Sequence, residues 1–318
     1  MKKIILHTWI VTMCFACENM ETVVDLDIPE TPPVLVMNGI LDTDTTIRLL
    51  VSHSVGAFSN EIPISINNAE VILYENDIFL DTLNVNMNNT MSYYLNSADS
   101  IQMNYYESSI IPNKNTDYRI EASHLNYPNI SAHTFIPDDI ETYNIDIDTI
   151  SNEEQIGFSF SFIDDANADN YYRLKLFSKC SKKWENEYGE IEIYHYAGGF
   201  QEFGSNDPSF PSNGIPWDGY TFSGRQVIFS DALFHGQEKN IRIDIINDGY
   251  RYEDCDTISL QFSVFSSDTY SYYNSLENHR EKGLLSIFGG EVIPVYSNVE
   301  NGLGSIISTN AQVIQIKP

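Results

Sequence analysis

Ile156-Gly157-Phe158-Ser159-Phe160-Ser161-Phe162 decides the fold class. Four large apolar residues alternate with three small or polar ones, a period of two that puts each set on its own face only if the chain is extended. On a helix the three phenylalanines would point in different directions. The same alternation returns at Ile258, Leu260, Phe262 and Val264 against Ser259, Gln261 and Ser263. Tyr172, Leu174, Leu176 and Ile241, Ile243, Ile245 repeat it with charged residues on the opposite face. Nearer the start, Ile47, Leu49 and Val51 oppose Arg48 and Ser52, and Tyr118, Ile120 and Ala122 oppose Arg119, Glu121 and Ser123. Recurrent half-buried antiparallel strands predict an all-β protein. One stretch departs from the pattern: Ser267 to Gly283 reads as helix, near 268–282. Asp268 is placed to cap it, Tyr273 and Leu276 share a face, Arg280 and Lys282 lie late, and Gly283 stops it.

The chain is too long for one small sandwich, and Ile136 to Asp139 offers a boundary, where a strand-like run ends in Pro137 and two aspartates. Residues 34–137 have the length and strand spacing of a sandwich, in an order that resembles an immunoglobulin-like or transthyretin-like module, with Ala69 to Asp77 forming a short hairpin. Residues 138–318 predict a second β-rich domain interrupted by a long loop, 196–224, dense in turn formers and aromatics. Loops of that length usually carry function. Phe200, Phe203, Phe210, Trp217, Tyr220 and Phe222 lie in it, where burying all six is hard, so they form the expected interaction surface. The tyrosine doublets 93/94, 105/106, 171/172 and 272/273 extend this aromatic supply, and adjacent strand residues face opposite ways. Asn298 to Gly304 reads as a tight turn, because Asn301-Gly302 is a favoured hairpin pair.

The N-terminus bears on compartment. Lys2 and Lys3 precede an apolar run, Ile4 to Ala16, too short to span a bilayer but suited to a signal peptide over residues 1–16. The run closes in Cys14-Phe15-Ala16-Cys17, which resembles the lipobox of bacterial lipoproteins, with Cys17 as the lipidated residue. Residues 17–33 then read as an acidic, proline-bearing tether. The formal net charge is -28, and losing Lys2 and Lys3 makes the mature body more acidic still. Such a field repels phosphate backbones and anionic headgroups, which argues against nucleic acid and leaves the lipid as the anchor. Two cysteines remain for the body, Cys180 and Cys255, which permit one disulfide or two separate buried thiols.

Motifs with chemistry are sparse. Asp165, Asn167 and Asp169 imitate the start of an EF-hand loop, but Asn170 stands where glycine is needed and Leu176 where a bidentate glutamate belongs, so the reading is an Asx-rich turn. The histidines after Cys17 show no HExxH-type spacing, which leaves no expected metal. No Gly-x-Ser-x-Gly elbow or phosphate-cradling loop is present.

Taken in order, several segments resemble the DUF4249 family of Bacteroidetes lipoproteins. They are Asp25-Leu26-Asp27-Ile28-Pro29 leading to Val34 through Gly39, Tyr118 to Ala122 with Ala132 to Pro137, and Asn170-Tyr171-Tyr172-Arg173-Leu174. Phe229-Ser230-Asp231 with Phe234-His235-Gly236, and Ser297 to Gly304, complete the set. The resemblance implies a membrane-anchored lipoprotein, often beside a TonB-dependent outer-membrane receptor, and no known chemistry or cofactor. Glu18 and Glu21 partly match the acidic surface-export signal of that phylum, although Asn19 and Met20 dilute it. The expected function is therefore a non-enzymatic outer-membrane accessory of such a receptor or uptake system, exposed at the cell surface, with a periplasm-facing orientation as the alternative. The alternatives are a stand-alone adhesin or glycan-binding lipoprotein and, third, a carboxylate-based surface hydrolase.

Overall fold

The structure is a computed structural model that describes residues 32–56, 61–94, 100–149, 156–213, 219–246, 255–284 and 293–317. The signal segment, Cys17 and nearly all of the tether lie outside the described residues, as does Trp217. The first half forms β1 (Leu35–Asp42), β2 (Arg48–His53), β3 (Glu70–Glu75), β4 (Ile78–Tyr94), β5 (Ser100–Glu107), β6 (Thr116–His124) and β7 (Tyr127–Ile136). Next come β8 (Thr142–Thr149), β9 (Ile156–Ile163), β10 (Tyr171–Glu185), β11 (Ile191–Gln201), β12 (Phe203–Ser205), β13 (Phe222–Gly224), β14 (Gln226–Ser230), β15 (Glu238–Ile245) and β16 (Cys255–Phe265). The chain ends with α1 (Ser267–Leu284), β17 (Val299–Glu300) and β18 (Ile306–Lys317).

The protein is largely β, with two sheets and a single helix among the described residues. The larger sheet runs β11-β10-β16-β18-β1-β2-β5-β4-β3-β6-β7-β17, with β14 also on β10, and the smaller runs β13-β12-β15-β9-β8. The alternating segments form strands because one face of each meets a core. Phe158, Phe160, Phe162, Leu174, Ile243 and Phe262 are fully buried in one cluster. Leu35, Leu49, Val51, Leu73, Ile120 and Ala132 are buried in another. Each large apolar side chain removed from water contributes roughly 1.5–3 kcal/mol. The Ala69–Asp77 hairpin forms: β3 turns into β4 through Asn76 and Asp77, both at positive φ (50° and 62°), the geometry that matches strand twist.

The halves on either side of residues 137/138 are joined by the last strand. Residues Pro33–Pro318 make one compact unit, because the last strand serves both cores. The start of β18 lies parallel to β1, with Gly39 opposite Ile306, and its remainder lies antiparallel to β16. Ile306 is buried with the Leu35 cluster, Ile314 and Ile316 with the Phe158 cluster. Between them the fully buried Ser308 ties the halves together. Its hydroxyl donates to the Phe135 carbonyl (2.6 Å), and its backbone N–H donates to Thr269 Oγ1 on α1 (2.9 Å).

Two local expectations change. Asn298 to Gly304 does not close a hairpin: β17 pairs with β7, while β18 pairs with β1 and β16. Only Asn301 of the favoured pair takes a positive φ (57°), and Asn298 holds the crossing by accepting from Ile306 N–H (3.0 Å) and donating to its carbonyl (2.7 Å). The cap of α1 is Ser266, whose Oγ accepts from Thr269 N–H (3.2 Å), not Asp268. Asp268 sits in the first turn and accepts from the Tyr296 hydroxyl at 2.5 Å.

Cys255 is disulfide-bonded, and the register of β10 and β16 sets Cys180 directly opposite it. Peptide mapping without reductant is expected to recover residues 180 and 255 in one linked fragment that separates on reduction; two free thiols there would refute the pairing.

Candidate functional site

Two places in the body have chemistry worth building up. The first gathers segments far apart in sequence. The turn after β9 supplies Asp164, the start of β10 supplies Asn170 and Tyr172, and the turn after β14 supplies Asp231, His235 and Gly236. Ligand atoms of Asp164, Asp231 and His235 lie within 4.8 Å of one another. Asp164 is buried; its Oδ1 accepts the Tyr172 hydroxyl and its Oδ2 the Gly236 N–H (2.7 Å). Asp231 Oδ2 accepts the Asn170 N–H (3.1 Å) and faces His235 Nδ1 at 2.7 Å. Burial raises the Asp164 carboxyl above its ordinary range and pushes the Tyr172 hydroxyl far up. The hydrogen bond to Asp231 raises the His235 imidazole.

What this arrangement does chemically follows from where the lone pairs go. Both Asp164 oxygens, and the Asp231 oxygen nearest His235, are already taken by protein donors. An oxygen that accepts one donor keeps a second lone pair, so the cluster clamps two turns to β10 and also presents three ligand atoms within reach of a single metal ion. The neighbouring residues support the turn reading of 165–170. Asn167 donates from backbone (3.0 Å) and side chain (2.7 Å) to Asp165 Oδ1, and Asn170 Nδ2 donates to the Asp165 carbonyl. The sequence carried a signal for this cluster in the Asp231/His235 spacing; their meeting with Asp164 required the fold.

The sign of the pH dependence follows from His235. A raised imidazole pKa contributes stability that is fully present below the ordinary value near 6.5 and is lost as pH rises through the higher, folded value. The wild-type advantage over His235→Gln in thermal melting is therefore expected to be larger at pH 5.5 than at pH 8.5. Equal differences at both pH values would remove the Asp231 interaction from the account.

The loop 196–224 is corrected by the structure. β11 runs to Gln201 and β12 and β13 follow, so much of the stretch is sheet. Phe203, Phe210 and Phe222 are core residues rather than a contact surface: exposures are 0%, 7% and 2%. Phe210 packs against Phe229 with ring centres 4.9 Å apart, and Phe203 against Phe222 at 5.6 Å. The apolar faces of β9, β14 and β15 provide the burial that turn-rich composition concealed. Tyr220 is half-buried and donates to Asp244 Oδ2 (3.1 Å), its hydroxyl pushed up to about 12 mainly by burial. Phe200 lies on β11 opposite Phe177. The strand doublets split as period two requires in two cases: Tyr106 and Tyr172 are core, while Tyr105 and Tyr171 face outward. Tyr93 and Tyr94 are both exposed.

The second place is the outward face of β1, β2 and β5. A half-covered antiparallel sheet normally turns polar residues outward. Here Val36, Ile40, Leu50, Tyr105 and Ile307 share that face with Asn38, Arg48 and Ser52. Met91 and Tyr93 of β4 and Tyr272 of α1 also line this cleft of about 860 Å³. That volume falls within the roughly 300–1,000 Å³ of small-molecule sites.

No helix among the described residues is long and apolar enough to cross a membrane, which says nothing of β-barrels. No curated protein matches the chain. Among solved structures, one described as the complete structure of manganese lipoxygenase of Gaeumannomyces graminis and partial structure of zonadhesin of Komagataella pastoris aligns at 10% identity. The alignment covers 73% of this chain and 88% of that one, and its TM-score of 0.17 carries no argument. The family comparison is of a different kind: the pattern described as "Domain of unknown function (DUF4249)" matches residues 21–315, nearly the whole chain, and the protein belongs to that family.

Proposed function

We propose that the protein is an outer-membrane lipoprotein, anchored by lipid on Cys17, that serves without catalysis as the binding partner of a TonB-dependent receptor or related surface uptake system. The observation that carries the binding reading is the cleft on the outward face of β1, β2 and β5, apolar where a solvent-facing sheet should be polar. The receptor and the surface location rest on the lipobox-like Cys17, the acidic residues after it and the family. In this reading residues 34–137 are a sandwich of immunoglobulin-like or transthyretin-like kind. It is supported by β1 and β2 sharing one core with β3 and β6.

The test is a mild-detergent pull-down of the tagged, lipidated protein from native outer membranes, followed by mass spectrometry. A TonB-dependent barrel recovered in stoichiometric amount is the expected result. Recovery of the bait alone, under conditions that preserve known membrane complexes, would overturn it. The glycan-binding alternative would then lead, favoured by Tyr93 and Tyr94, 44% and 73% exposed at the end of β4.

A further inference from the structure

We infer that the cleft binds a single-chain amphiphile with an apolar body and one carboxylate head, the head held at Arg48. The inference rests on the cleft being a binding surface, as proposed above, and names what it binds. Ile40 is 49% exposed in its lining. An apolar lining of this kind loses contact with water only when a ligand fills it.

Charge selects the head. Besides the tyrosines, the charged or titratable side chains lining the cleft are Asp42, Arg48 and His53. Asp42 lies at the end of β1 and accepts the Asp44 N–H (3.0 Å). Arg48 has no ion pair among the described residues, whereas Lys114, Arg119, Lys239 and Arg242 each have one. Arg225 and Arg280 are likewise exposed without an ion pair among the described residues, so what sets Arg48 apart is its place in the lining of the cleft. Its guanidinium lies over the Tyr105 ring, 5.1 Å from the centroid, a contact with the ring face that leaves the hydrogen-bonding capacity of its N–H groups unspent. A carboxylate can take two parallel N–H bonds from a guanidinium edge. The rest of the molecular field repels polyanions, so one charge on an apolar body suits the site better than a phosphate-rich ligand.

Length follows from register. Gly39 pairs with Leu49 and Leu35 with His53, so Arg48 and His53 stand at opposite ends of β2. Five residues of extended strand separate them, roughly 17 Å. Dodecanoate is a suitable probe for that span.

The test uses the chain from residue 17 onward with Cys17→Ser, and equilibrium dialysis of radiolabelled dodecanoate and dodecan-1-ol below their aggregation limits. Wild type is expected to bind dodecanoate at a single saturable site, at least tenfold tighter than the alcohol. Arg48→Met is expected to abolish that preference and leave alcohol binding unchanged. Ile40→Asp is expected to weaken both ligands at least tenfold, with an unaltered circular-dichroism spectrum. Should Arg48→Met not fold, Arg48→Gln replaces it, and the wild-type acid-to-alcohol ratio stands as an independent readout. Absence of saturable dodecanoate binding would overturn the inference, as would an Arg48 variant that binds dodecanoate like wild type. So would association only with phosphatidylglycerol vesicles and not with monomeric probe. The outcome is separable from the receptor reading: a pull-down without the barrel leaves the ligand site standing, and a barrel recovered alongside a cleft that ignores dodecanoate overturns the ligand alone.

Discussion

Gly304→Ala is expected to lower unfolding free energy by about 3 kcal/mol or more, read as a shift of the urea midpoint at unchanged slope. Gly304 holds φ +106°, a conformation that residues with a Cβ rarely adopt, and a Cβ there would overlap the Met37 carbonyl oxygen of β1. That carbonyl belongs to backbone and cannot swing aside. The chain around it is pinned on both sides: Leu303 N–H donates to the Leu35 carbonyl (3.0 Å), Met37 N–H to the Leu303 carbonyl (2.9 Å), and Gly39 N–H to the Ser305 carbonyl (3.1 Å). Relief of the overlap would loosen the start of β18, the strand shared by both cores. Gly219→Ala isolates the conformational part, because Gly219 also has positive φ (79°) but no atom within 4 Å of the added carbon. It is expected to cost about 1 kcal/mol. Equal losses at the two glycines would show that the close approach to β1 contributes nothing.

The second large effect lies at Asp164. Asp164→Ala is expected to destabilise by about 3 kcal/mol, since it leaves the fully buried Tyr172 hydroxyl and the Gly236 N–H without partners, each unmade bond costing about 1–3 kcal/mol. Part of that loss returns because a desolvated carboxylate is also removed. Asp164→Asn keeps an acceptor for one of the two donors and should lose about half as much. Tyr172→Phe in the Asp164→Ala background should cost far less than in wild type, because its hydroxyl has already lost its acceptor. Additive losses in this double-mutant cycle would mean that the two side chains do not act as a unit.

The comparison of sequence with structure turns on range. Alternation at 156–162, 172–176, 241–245 and 258–264 placed strands correctly, and buried faces followed, because side-chain direction in an extended chain is a property of neighbouring residues. The helix and the Asn76-Asp77 turn were legible for the same reason. Apart from the helix cap, which moved from Asp268 to Ser266, the failures are non-local. Phe203, Phe210 and Phe222 sit among turn formers, yet they are buried because strands distant in sequence close over them. Asn301-Gly302 has hairpin chemistry, yet the two flanking strands find other partners.

By itself the sequence determined the strand class, the turn and helix positions, the acidic charge and the lipobox-like Cys17. Tertiary structure alone decided that β18 belongs to two cores, that Asp164 meets Asp231 and His235, and that an apolar cleft lies open beside Arg48. The physical reason is that local patterns follow from the backbone geometry of adjacent residues, whereas pairing, burial and charge balance depend on which distant segments pack together.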